Sequence, residues 1–97
     1  MFVHIVMFRF KEENKKANLI QAKQMLENLM GVIPSLRSID VGLNEITSDR
    51  AMDLSLIASF ESKEGLELYD VHPEHQKVVS FIKTVVEYSK ATDYTKA

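Results

Sequence analysis

The chain has 97 residues, 45% hydrophobic and 27% charged, with a formal net charge of -2, an ordinary globular balance that excludes extended disorder. Lysines and arginines are scattered without forming a basic stripe, so neither nucleic acid nor an anionic membrane surface is expected as a partner. Cysteine is absent, which removes disulfides, thiolate nucleophiles and thiolate metal sites, and no apolar run approaches the length of a membrane span, so a cytoplasmic protein is expected.

One domain over residues 1–97 is expected, small enough that folding buries only roughly 60 to 65% of the unfolded surface. Residues 2–10 are β-branched or aromatic at nearly every position and read as a central strand covered on both faces. From about Asn14 the apolar residues Leu19, Ala22, Leu26, Leu29 and Met30 recur at helical spacing, and Gly31 closes the segment. Ile33-Pro34 turns the chain. Leu36 to Val41 is a shorter, more polar strand suited to a sheet edge, followed by a loop from Asn44 to Arg50.

Met52 to Phe60 alternates, with Leu54, Leu56, Ala58 and Phe60 on one face. Ser62 is placed to cap a short helix running through Tyr69. A second helical piece starts at Pro73, whose missing amide hydrogen and fixed φ suit the first helical position. It carries His75 with Val79, Ile82, Val85 and Val86 on its apolar side, and Tyr88 to Tyr94 reads as a last strand.

Strand, helix, strand, strand, helix, strand is the order of an α+β, ferredoxin-like split βαβ sandwich: a four-stranded antiparallel sheet with its helices on one face. The helices leave the other face open, yet Val3, Ile5 and Met7 on one side of the first strand are as apolar as Val6 and Phe8 on the other. The simplest cover is a second copy of the sheet, giving a homodimeric α+β barrel.

Candidate chemistry gathers at residues 66–75, where Tyr69, His72 and His75 share a short corner. A histidine in the first turn of a helix sits in the positive end of the dipole, which disfavours imidazolium and leaves a base able to accept a proton near neutral pH. The same corner also serves as a plain helix start with a packed tyrosine ring. His4 lies in an apolar strand, where its ring nitrogens need a partner. His72 and His75 are poor metal ligands: Pro73 stands between them and no carboxylate pair or thiol completes a shell. No metal is expected.

The opening His4-Ile-Val-Met-Phe-Arg-Phe-Lys, the Ile33-Pro34 turn, the Val41-Gly42-Leu43-Asn44 step, Phe60-Glu61-Ser62 and the corner Tyr69-Asp-Val-His72-Pro73-Glu74-His75 resemble the stress-responsive dimeric α+β barrel, or Dabb, family over essentially the whole chain. The resemblance implies a ferredoxin-like protomer and a homodimer. It extends to the family's plant polyketide cyclase that makes olivetolic acid by a cofactor-free aldol condensation. By that similarity Tyr69 and His75 would be catalytic, His4 and His72 would line the same pocket, and no cofactor would be needed. Val6, Phe8, Leu26 and Leu56 would form apolar walls for a flat, apolar or aromatic carbonyl ligand. The chain departs from the cyclase in having Ala22, Leu26 and Val86 at bulkier positions and no tryptophan, so the pocket shape should differ.

Three functions stay open at this level. The first is a small-molecule pocket with acid/base, lyase-like capability, in which His75 takes a proton and Tyr69 holds the carbonyl. The second is a non-enzymatic stress or interaction protein whose dimer is structural. The third is a cofactor-free monooxygenase.

Overall fold

A computed structural model describes all 97 residues. The elements are β1 (Phe2–Phe10), α1 (Lys15–Glu27), β2 (Ser38–Leu43), β3 (Leu54–Phe60), α2 (Lys63–Val71), α3 (Pro73–Val85) and β4 (Val86–Thr95). The strands form one antiparallel sheet in the order β2-β3-β1-β4. This is the expected ferredoxin-like arrangement, with the most apolar strands, β1 and β3, at its centre.

The inner face of the sheet presents Val6, Phe8 and Phe10 of β1 and Leu54, Leu56, Ala58 and Phe60 of β3. These form one core with Ala22 and Leu26 of α1, Tyr69 of α2, and Val78, Ile82 and Val85 of α3. Burying such side chains contributes about 1.5–3 kcal/mol each. The period-2 alternation of β3 is what delivers these four apolar side chains to one side.

Several boundaries differ from the sequence expectation. The first helix ends at Glu27, four residues before Gly31, and the chain then turns with Gly31 at φ 85°, a left-handed conformation that glycine adopts without steric cost. The turn carries Leu29 and Ile33 into the core while Met30 is left exposed. In α3 Ile82 and Val85 are buried as expected, joined by Val78, with Val79 only half-buried; Val78, Ile82 and Val85 follow the i, i+4, i+7 stripe of a helix. β4 starts at Val86, directly where α3 ends, and a register shift between Arg9 and Phe10 absorbs the extra residue.

Two local contacts fix the helices and the loop. A Cβ at Gly65 would lie 3.0 Å from the Phe60 Cβ, so α2 rests flush on the end of β3. Asp53 accepts from the Phe10 amide at 2.7 Å and pairs with Lys15 at 3.2 Å, pinning the β2–β3 loop to the start of α1.

The opposite face of the sheet is uncovered within the protomer. Met7, Ile57, Tyr88 and Tyr94 are all more than 40% exposed there. Register puts Ile5 opposite Ile57 and Val3 opposite Tyr94, so apolar side chains cluster along β1 and its neighbours, interleaved with Ser55, Ser59, Lys90 and Thr92 on the same face.

Candidate functional site

His72 and Pro73 build the corner as the sequence suggests. Pro73 occupies the first position of α3, and His72 caps it, its Nδ1 accepting from the Glu74 amide at 3.1 Å. That bond turns the His72 ring away from the main cavity. It borders a separate depression with Ile33, Pro34, Ser35 and Leu68, which corrects the expectation that His72 lines the same pocket as the other histidines.

His75 enters the space between sheet and helices. Its Nδ1 lies 3.1 Å from the Asp70 carbonyl oxygen. A carbonyl only accepts, so Nδ1 carries the proton and Nε2 keeps a free lone pair. Burial pushes the His75 pKa below its ordinary value, against the opposing pull of the Asp70 carbonyl and carboxylate. The direction agrees with the dipole argument from sequence, but desolvation is the larger cause.

Tyr69 is 1% exposed. Its ring meets the His75 ring edge-on, with centroids 4.2 Å apart, and the Phe60 ring at 5.2 Å. Burial raises the phenol pKa, and the hydroxyl has no hydrogen-bond partner. Tyr69 does not border the cavity. A role in holding a substrate carbonyl therefore does not follow from its position, whereas a role in fixing the His75 ring does.

His4 projects from the inner face of β1 and faces Asp93, its register partner on β4. The His4 Nδ1 hydrogen-bonds the Asp93 carboxylate. A carboxylate on Nδ1 fixes the tautomer and leaves Nε2 for other contacts.

His4 and His75 border one cavity of about 270 Å³, near the lower limit of small-molecule sites. Val6, Phe8, Leu26 and Leu56 line it, as do Val78, Val79, Ile82 and Val86. Its remaining polar groups are Asp70, Lys83 and Ser89. The α3 side chains were accessible to sequence reasoning through their helical spacing. Asp93 and Ser89 were not, because only the β1–β4 register brings them to His4 and Phe8.

The loop at residues 44–50 lies elsewhere, near Arg9 and Lys15, and borders none of this cavity. No three His, Asp or Glu side chains converge in a way that would hold a metal ion. No helix is long and apolar enough to cross a membrane.

Comparison with known proteins gives a consistent set of relatives. The sequence pattern of the family described as Stress Responsive A/B Barrel Domain matches residues 2–96. A stress-response A/B barrel domain-containing protein of Arabidopsis thaliana is 25% identical over 99 residues, spanning 99% of this chain and 86% of that protein. A dimeric protein of unknown function and ferredoxin-like fold from Bacteroides fragilis superposes with a TM-score of 0.88 at 26% identity, covering 98% of this chain and 95% of its own. The hydroxynitrile lyase of Passiflora edulis superposes with a TM-score of 0.84 at 18% identity, covering 96% and 90% respectively, a likeness of fold.

Proposed function

Because the chain belongs to the stress-responsive A/B barrel domain family, we propose that it is a homodimeric small-molecule-binding protein whose cavity carries out cofactor-free acid/base chemistry on an apolar or aromatic carbonyl compound. The observation that carries this reading is the pair of imidazoles on one apolar cavity, each with Nδ1 engaged, by Asp70 for His75 and by Asp93 for His4. Engaged Nδ1 atoms leave two Nε2 positions for a ligand. The occurrence of a hydroxynitrile lyase on the same fold supports a cavity of this type hosting a reaction, though fold alone does not assign one.

In this mechanism neutral His75 removes a proton from the carbon beside the carbonyl or from a hydroxyl. Its lowered pKa keeps it unprotonated near neutral pH. His4, when protonated, donates from Nε2 to the oxygen on which charge develops, and Asp93 balances the imidazolium. Tyr69 positions His75 through the edge-on ring contact. The apolar walls exclude water and hold a flat substrate against the two rings.

The open sheet face supports the homodimer. Ile5, Met7, Ile57, Tyr88 and Tyr94 offer an apolar surface that a second copy covers by two-fold symmetry. The dimeric Bacteroides fragilis relative supports the same assembly.

The test is a histidine-resolved NMR titration of the wild type and His75→Gln, repeated with a panel of β-keto and phenolic compounds. The reading expects a depressed His75 pKa and ligand shifts concentrated at His4 and His75, weakened in the variant. Ordinary titration at every histidine with no compound perturbing them would overturn it. That outcome would favour a second reading, a non-catalytic dimer in which the deeply buried Tyr69 ring and the His75 edge are simply core.

A further inference from the structure

The cavity is charged asymmetrically along its length. His75 stands in the first turn of α3 and Lys83 in the last. Eight residues of helix at 1.5 Å each separate them by about 12 Å. On the sheet, Asp93 opposes His4 and Ser89 opposes Phe8, four residues further along β1, or about 13 Å. The two measures agree. One end of the cavity holds His75, Asp70 and His4, with Asp93 hydrogen-bonded behind His4, and the other holds Lys83 and Ser89, with apolar walls between.

Lys83 is the cation at its end. Its ammonium makes no ion pair or hydrogen bond within the protein; the same is true of Lys16, Lys63, Lys90 and Lys96, but of these lysines only Lys83 borders the cavity, while Lys15, Lys23 and Lys77 pair with carboxylates. Glu87, near it in sequence, turns to Arg9 instead, at 3.7 Å. Favourable interaction with the end of the α3 dipole accounts for a cation in the last turn. It does not account for that cation bordering an apolar cavity that Ser89 also lines.

We propose that the cavity selects an apolar acid, with its carboxylate at Lys83 and Ser89 and its carbonyl or hydroxyl about 12 Å away at His4 and His75. This rests on the small-molecule pocket proposed above and names the substrate class. Asp70 disfavours a carboxylate at the histidine end, where Asp93 is already paired with His4, and Lys83 attracts one at the other, so the ligand enters in one orientation. The oriented pose sets the reacting carbon, not the acid group, against the two imidazoles.

A matched pair of probes tests this: 4-(4-acetylphenyl)butanoate, which has a carbonyl at one end and a carboxylate at the other, and its neutral butanamide. Affinities are read by NMR titration at low ionic strength for the wild type, Lys83→Gln and Lys83→Glu. Lys83 is exposed, so both variants should fold. The acid should bind the wild type about 3- to 5-fold tighter than the amide, the range of a solvent-accessible ion pair. Lys83→Gln should abolish the preference, Lys83→Glu should reverse it, and added salt should weaken only the acid. Equal binding of both probes, with shifts at His4 and His75, would refute the acid selectivity while leaving the pocket intact. Failure of both probes to bind would overturn the selectivity together with the pocket.

Discussion

Tyr69→Phe separates the two roles that a buried tyrosine can have beside a histidine. The hydroxyl is buried and unpartnered, and a group in that state costs about 1–3 kcal/mol relative to solvation. Removing it relieves that cost and leaves the ring contacts with Phe60 and His75 in place. The expected change is therefore between zero and about 1 kcal/mol of stabilisation, allowing for the small void left by the oxygen. In a domain of this size each kcal/mol moves the melting temperature by about 4–8 °C. Tyr69→Ala, by contrast, deletes the ring and should cost about 3–5 kcal/mol, the range for an aromatic lost from a core, enough to unfold much of a marginally stable domain. Urea denaturation at fixed protein concentration, which holds any dimer contribution constant, measures both. Ligand-induced shifts at His75 should survive Tyr69→Phe because the ring alone positions the imidazole. Destabilisation by more than 1 kcal/mol would show that the hydroxyl has a bonding partner and refute the packing argument. Loss of ligand response with unchanged stability would return the hydroxyl to the substrate.

Two further predictions concern His75 and the open sheet. Burial holds the folded His75 pKa below the unfolded value of about 6.5, so the unfolded chain binds more protons in the window between them. Stability therefore rises with pH across that window and falls on acidification. His75→Gln should flatten this slope in denaturation curves taken as the pH falls below the unfolded value, and an unchanged slope would show that His75 titrates normally. Ile57→Lys places a charge at the centre of the exposed apolar face, opposite Ile5. The variant should sediment as a monomer where the wild type is a dimer, with the protomer fold retained by circular dichroism; dimerisation as strong as that of the wild type would move the interface elsewhere.

Most of the architecture was readable from the chain because each element announces itself over several residues. β1 is apolar on both faces, β3 alternates strictly, and Pro73 fixes a helix start whatever lies around it. These are local properties of backbone and period. Element ends were less readable. α1 stops at Glu27 and the chain goes on in turns through Gly31 at φ 85°, although Leu29 and Ile33 keep the helical spacing of Ala22 and Leu26 and are buried with them, so spacing alone did not reveal the stop.

For the candidate site, strand and helix phase were enough to choose the walls Val6, Phe8, Leu26 and Leu56 and to put His75 on the apolar side of its helix, whereas it was the family resemblance that joined His4 and His75 in one pocket. Tertiary structure alone decided the rest. His72 turns to the Glu74 amide, Tyr69 sinks behind His75, and Asp93 reaches His4 from 89 residues away. The physical reason is the same in each case. Periodicity sets the face a side chain occupies, whereas its partner is set by strand register and by competition among hydrogen-bond acceptors, which arise only when distant segments pack.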